Sequence, residues 1–244
     1  MVPFPTPNRR RVYLMRHGAV TYFDATGRPV LPETVPLNEE GRRQASAAGQ
    51  AFANENIVFD RVIVSGLPRT VETAQRVLAE MPAMQQRGVT LEQWPELQEI
   101  RGGKLAEIPE HEVAQAFIGA FAGTVPEDRR FLNGESIGEF LDRVIPALTH
   151  LRTQPDWDTV LLVLHGGTNR AILSHAITGG QRVFFGNLAQ TAGCINVLDV
   201  GDDPADWVLR MSNFAPPSPV HLGSRLTTME VLLQQYLRFR RPAA

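Results

Sequence analysis

The run Val12-Tyr13-Leu14-Met15 passes directly into Arg16-His17-Gly18. Four such residues in a row, with no polar alternate, read as a strand covered on both faces. Such a strand is expected in a sheet covered on both sides, as in the α/β class. A buried strand has no local use for a guanidinium and an imidazole at its carboxyl end. In open α/β sheets that end is where ligands sit. Gly18 lets the backbone turn and lets a guest come close. Arg16 points to an oxyanion, because a guanidinium grips carboxylate or phosphate oxygens with paired N–H bonds.

The pattern recurs along the chain. Asp60–Gly66 reads as a second strand, ending in Ser65-Gly66, and Thr159–Leu164 as a buried strand ending in His165-Gly166-Gly167. Between them lie helical segments. Asn38 caps one, with Glu39 and Glu40 in its first turn; Pro68 opens another; Ile137 to Leu151 carries an apolar face that Pro146 should kink or split. Leu91–Leu97 reads as a short strand, 109–121 as a weaker helical region, Cys194–Val200 and Trp207–Met211 as a hairpin, and Met229–Arg240 as a final helix packed on its own domain. Strands alternating with helices predict a three-layer sandwich with a mostly parallel central sheet. Residues 1–10 read as a loose, Pro-rich leader, and Arg9-Arg10-Arg11 as a solvated charge run. Residues 11–244 read as one catalytic domain with a helical insertion at about 100–135.

The 244 residues carry a formal net charge of -2, so no basic field draws in nucleic acid or an acidic membrane. No apolar run approaches the ~18 residues of a membrane span. One cysteine, Cys194, excludes an intramolecular disulfide and suits a reducing, cytoplasmic compartment. The expected partner is a small molecule met by a local basic site, with no metal and no cofactor; a homodimer is left open.

In a parallel sheet the three polar strand ends share one edge. That edge gathers Arg16, His17 and His165, with Arg69 in the helical turn just beyond Ser65-Gly66. With these residues in place, the chain resembles the histidine phosphatase superfamily, which includes the phosphoglycerate mutase-like enzymes. The matching segments are Leu14–Gly18, Ser65–Ala74, Leu97–Gly103, Gly134-Glu135-Ser136 and Val163–Gly167, in the family's order. The resemblance implies that His17 is the nucleophile and that Arg16, Arg69 and His165 surround the phosphoryl oxygens. It assigns Glu99 as proton donor and acceptor. Backbone amides at Gly18 and at the helix start after His165, beginning with Gly166, would add donors.

The chain also departs from that family. Many members read Arg-His-Gly-Glu and then Thr or Ser, whereas here Ala19-Val20 precede Thr21. Mutases carry an asparagine where this chain has Phe23, and their substrate-clamping arginine pair is only loosely echoed by Arg129-Arg130. Thr21, Phe23, Arg129 and Arg130 are therefore the candidate substrate contacts. These departures favour metal-independent hydrolysis of a small-molecule phosphate monoester through a phosphohistidine. A phosphoglycerate mutase is the first alternative, and a non-catalytic phosphate-binding protein of the same fold the second.

Overall fold

The computed structural model describes residues 8–24, 28–83, 88–218 and 225–240. Its strands are β1 (Arg10–Arg16), β2 (Arg61–Val64), β3 (Leu91–Gln93), β4 (Thr159–Leu164), β5 (Ile195–Val200) and β6 (Trp207–Phe214). Its α-helices are α1 (Glu39–Asn54), α2 (Pro68–Ala79), α3 (Val113–Ile118), α4 (Ile137–Thr153), α5 (Gly166–Ile177) and α6 (Thr228–Arg240). The sheet order is β3-β2-β4-β1-β5-β6. The β1, β2, β3 and β4 pairings are parallel, while β5 runs antiparallel to both its neighbours. The chain thus has the mostly parallel α/β sheet that its pattern predicts.

Both faces of the central strands are buried, and alternate side chains serve different layers. Val12, Leu14, Ile63, Val160, Leu162 and Leu164 pack with Phe140, Leu141, Val144 and Ile172 of α4 and α5. Tyr13, Met15, Val62, Val64, Leu161 and Val163 face the other way, onto Ala48 and Phe52 of α1 and Ala74 and Val77 of α2. Each fully buried side chain of this kind contributes about 1.5–3 kcal/mol. A third, smaller cluster joins α3 to α6 through Val113, Phe117, Leu233 and Tyr236, with Phe23 packed against it. The final helix therefore packs on its own domain.

Local signals act as read. Asn38 Oδ1 accepts the Gly41 amide at 2.9 Å, and Pro68 occupies the first turn of α2. Pro146 does not split α4, which is continuous through it. Pro146 is exposed, so the carbonyl that loses its intrahelical donor lies on the solvent side, where water can replace it. The expected strand 91–97 is shorter, because Pro95 starts a 3₁₀ turn at Pro95–Leu97. The arginine triplet is not a run of unpartnered charges, although Arg11 itself is exposed. Arg9 pairs with Asp206 at 2.7 Å, Arg10 donates to the carbonyls of Arg152 and Gln154 and stacks on Trp157, and Arg11 pairs with Asp199 at 2.7 Å. Arg10 already belongs to β1, and residues 1–7 of the expected leader lie outside the described residues. Among the described residues no helix is long and apolar enough to cross a membrane.

Candidate active site

Strands β2, β4 and β1 are neighbours, with Arg16 level with Leu164 and Val64 level with Val163. Their carboxyl ends therefore deliver Ser65, His165 and Arg16-His17 to one place. Arg69 enters from the first turn of α2 and is buried to 2% exposure. It makes no ion pair with Glu72, which instead binds Arg42 at 2.9 Å and Arg76 at 3.0 Å. The two imidazoles lie edge to face, with ring centroids 5.2 Å apart.

The tautomer of His17 follows from its neighbours. Its Nδ1 lies 2.7 Å from the Gly18 carbonyl, which only accepts, so Nδ1 carries the proton. Arg69 Nε donates to His17 Nε2 at 3.3 Å, which requires a lone pair there. Both contacts place the free pair on Nε2. Burial, then Arg69 and Arg16, push the His17 pKa well below the ordinary imidazole value. His165 is lowered likewise, by burial, Arg69, His17 and Arg16 in turn. Its Nε2 lies 2.7 Å from Ser65 Oγ.

Arg16 Nη1 donates to Gln190 O at 2.5 Å and to Thr228 Oγ1, on α6, at 3.1 Å. Arg69 Nη1 donates to Pro32 O, in the loop after β1, at 2.5 Å. Among the described residues, Arg16 Nε, His165 Nδ1 and Arg170 Nε are buried without a hydrogen-bond partner. Unpaired buried nitrogens are costly, about 1–3 kcal/mol each, unless a guest satisfies them. A Cβ on Gly166 would lie 3.2 Å from Arg170 Nη1 and 3.5 Å from Arg16 Nε, so Gly166 sits between the two guanidinia.

Glu99 joins this group from the segment after the 3₁₀ turn. Its Oε2 accepts the Gly167 amide at 3.0 Å, at the start of α5. Gly18 departs from expectation: its amide donates to Thr73 Oγ1 at 3.1 Å rather than facing an oxyanion. A Cβ at Gly18 would come within 2.3 Å of Gly41 O, so what Gly18 provides is close approach of α1. Thr21 Oγ1 accepts from Asn38 Nδ2 at 3.3 Å and is exposed. Phe23 packs with the α3–α6 cluster. Arg129 and Arg130 line a separate cavity of about 450 Å³ with Glu112 and Asp128, and none of Arg16, His17, Arg69 and His165 lines it. Arg130 is also held by Glu139 at 3.2 Å.

Two arginines beside the site carry no expectation from the sequence. Arg170 is 8% exposed, its pKa is lowered to about 10 by burial and by Arg16, and it lies over the Phe121 ring. Its position four residues after Gly166, on the same helix face, is the signal that could have found it. Arg143, on α4, has no such local signal.

The depressed imidazoles make the fold sensitive to acid. Below about pH 6.5 the unfolded chain protonates His17 and His165 while the folded chain does not. Stability is therefore complete above that pH and is lost as pH falls toward the lowered folded pKa values. His175, also lowered by burial, acts with the same sign. Glu92, held down by Arg61, acts only below about 4.3, outside this window. The midpoint of thermal unfolding is expected to drop between pH 7 and 5, with a shallower slope in His165→Asn. Parallel slopes in the two proteins would contradict a neutral His165.

A family model, "Histidine phosphatase superfamily (branch 1)", matches residues 12–213, and the chain belongs to that superfamily. It is 28% identical over 169 residues to the chicken 6-phosphofructo-2-kinase/fructose-2,6-bisphosphatase, covering 68% of this chain and about a third (32%) of that protein's length. It is 32% identical over 149 residues to a 2,3-bisphosphoglycerate-dependent phosphoglycerate mutase of Bartonella henselae, covering 56% of this chain and 67% of the mutase. Among solved structures, a mycobacterial glucosyl-3-phosphoglycerate phosphatase superposes with a TM-score of 0.62 at 22% identity, over 84% of this chain and 99% of that one, a likeness of fold.

Proposed function

We propose that the chain hydrolyses a small-molecule phosphate monoester through a phosphohistidine on His17, without a metal. The observation that carries this reading is the neutral His17 with its free pair on Nε2, 3.3 Å from Arg69 Nε. Nε2 attacks phosphorus as the ester P–O bond breaks, and protonated Glu99 gives its proton to the leaving oxygen. Glu99 then takes a proton from water, which attacks phosphorus, and the P–N electron pair returns to Nε2. Arg16, Arg69 and His165 face the charge spread over the three other oxygens, which supports catalysis without a metal ion. Phosphatases among the relatives' names agree with this reading. The region of about 100–135 and α6, which share the cluster that Phe23 packs against, would select the ester on this reading.

The test is an acid-labile phosphate assay with a chelator present. The donors are p-nitrophenyl phosphate, 3-phosphoglycerate and 2,3-bisphosphoglycerate. Release of phosphate with a short-lived adduct absent in His17→Ala is the expected result. A long-lived adduct with transfer between phosphoglycerates would replace the reading with a mutase. Tight vanadate binding without any adduct would replace it with a phosphate-binding protein.

A further inference from the structure

Arg143 lies on α4 and makes no hydrogen bond to either imidazole among the described residues, yet all five of its N–H donors are engaged. Nε and Nη2 grip the Glu135 carboxylate at 2.8 and 2.9 Å. Nη1 donates to the carbonyls of Glu96 and Gln98, both at 2.7 Å, and Nη2 to the carbonyl of Glu99 at 2.8 Å. Glu135 in turn accepts the Arg101 amide at 2.9 Å, and its own amide donates to Arg101 O at 2.8 Å. One ion pair thus holds the backbone on both sides of Glu99. The pair is mostly buried, with side-chain exposures of 15% and 9%, and the guanidinium rests over the Phe140 ring. From the other side, Thr168 Oγ1 of α5 donates to Gln98 O at 3.1 Å.

The stretch from Gln98 to Lys104 has no helix or strand of its own. Where the Glu99 carboxylate points is set by the Ile100 and Gly167 amides, both at 3.0 Å, and by whatever fixes the backbone that carries it. We propose that the Arg143–Glu135 pair is a positioning device that aims the Glu99 carboxylate at the leaving oxygen of the ester. The proposal rests on the reading of Glu99 as the acid. It assigns to Arg143 and Glu135 no contact with substrate. Their effect reaches the reaction through the geometry of Glu99, where a displacement of about 1 Å is enough to lose on the order of 10²-fold in rate.

A misaimed acid matters only where the leaving group needs a proton. The measurement is kcat/KM on p-nitrophenyl phosphate and on phenyl phosphate, whose phenol is a poor leaving group with a pKa of about 10, like tyrosine. The ratio kcat/KM reports steps up to the first irreversible one, here departure of the leaving group. Glu99→Gln calibrates the assay. Arg143→Met removes all five donors and keeps an apolar stem over Phe140. It is expected to lose roughly tenfold more on phenyl phosphate than on p-nitrophenyl phosphate, in the same direction as Glu99→Gln, as loss of general-acid catalysis requires. Glu135→Gln, which keeps the size of the side chain, is expected to show the same selectivity more weakly, and it decides the matter if Arg143→Met does not fold. Equal losses on both esters, with Glu99→Gln still selective, would mean that the pair only supports the fold. If Glu99→Gln is itself unselective, the acid is not Glu99, and the proposal falls with that reading.

Discussion

Replacing His17 by alanine is expected to lower kcat/KM by at least about 10⁴-fold, the scale of losing a nucleophile. On the proposed reading His165 serves the phosphoryl oxygens, with its Nε2 engaged by Ser65, and the guanidinia of Arg16 and Arg69 are not nucleophiles. The acid-labile phosphate should vanish together with turnover. The protein should still fold, because His17 contributes to neither apolar layer of the core. Its circular dichroism and unfolding cooperativity at pH 8 are the controls. Activity within tenfold of wild type, in protein free of contaminating phosphatase, would remove His17 from its role.

The second large effect is expected at Arg16. Its position is set on three sides: by β1, by the Gln190 carbonyl and by Thr228 at the start of α6. Its Nε has no hydrogen-bond partner among the described residues and lies in a buried place beside Gly166. Removing one preorganised donor of this kind costs about 10²–10³-fold in rate, or roughly 2.7–4 kcal/mol of transition-state stabilisation. Arg16→Ala is expected to fall in that range in kcat/KM. Arg16→Lys should recover little, since an ammonium cannot reproduce the planar fork that reaches Gln190 O and a phosphate together. The stability of Arg16→Ala should stay near wild type, because a buried group with an unsatisfied nitrogen is lost along with its charge. Kinetics at varied substrate settles how Arg16 acts. A loss confined to KM would assign it to ground-state binding, and a loss in kcat to the transition state.

Several of these features are legible in the linear chain because their causes are local. An uninterrupted apolar run such as Leu161 to Leu164, bounded by polar and glycine residues, reads as a strand buried on both faces, and the polar residue that ends it then sits at the sheet's edge. Asn38 and Pro68 declare helix starts because the unpaired amides of a first turn need such residues. The meeting of Arg16, His17, Arg69 and His165 also follows, since parallel strands place their carboxyl ends together.

What the sequence by itself determined, then, is the class of fold, the edge that carries the chemistry and the residue types gathered there. Tertiary structure alone decided how those groups are paired and aimed. Arg69 and Glu72 are three residues apart, yet α1 supplies Arg42 to Glu72 and leaves Arg69 to the imidazole. The Gly18 amide goes to Thr73, 55 residues away, and not to a guest. Arg9, Arg10 and Arg11 look solvated until the far ends of α4, β5 and the β5–β6 turn bring their partners. Arg143 reaches the backbone of Glu99 across 44 residues. Hydrogen-bonding capacity belongs to the residue and can be read directly. The partner that satisfies it depends on which helix packs where, and that is set by burial of apolar faces across the whole chain.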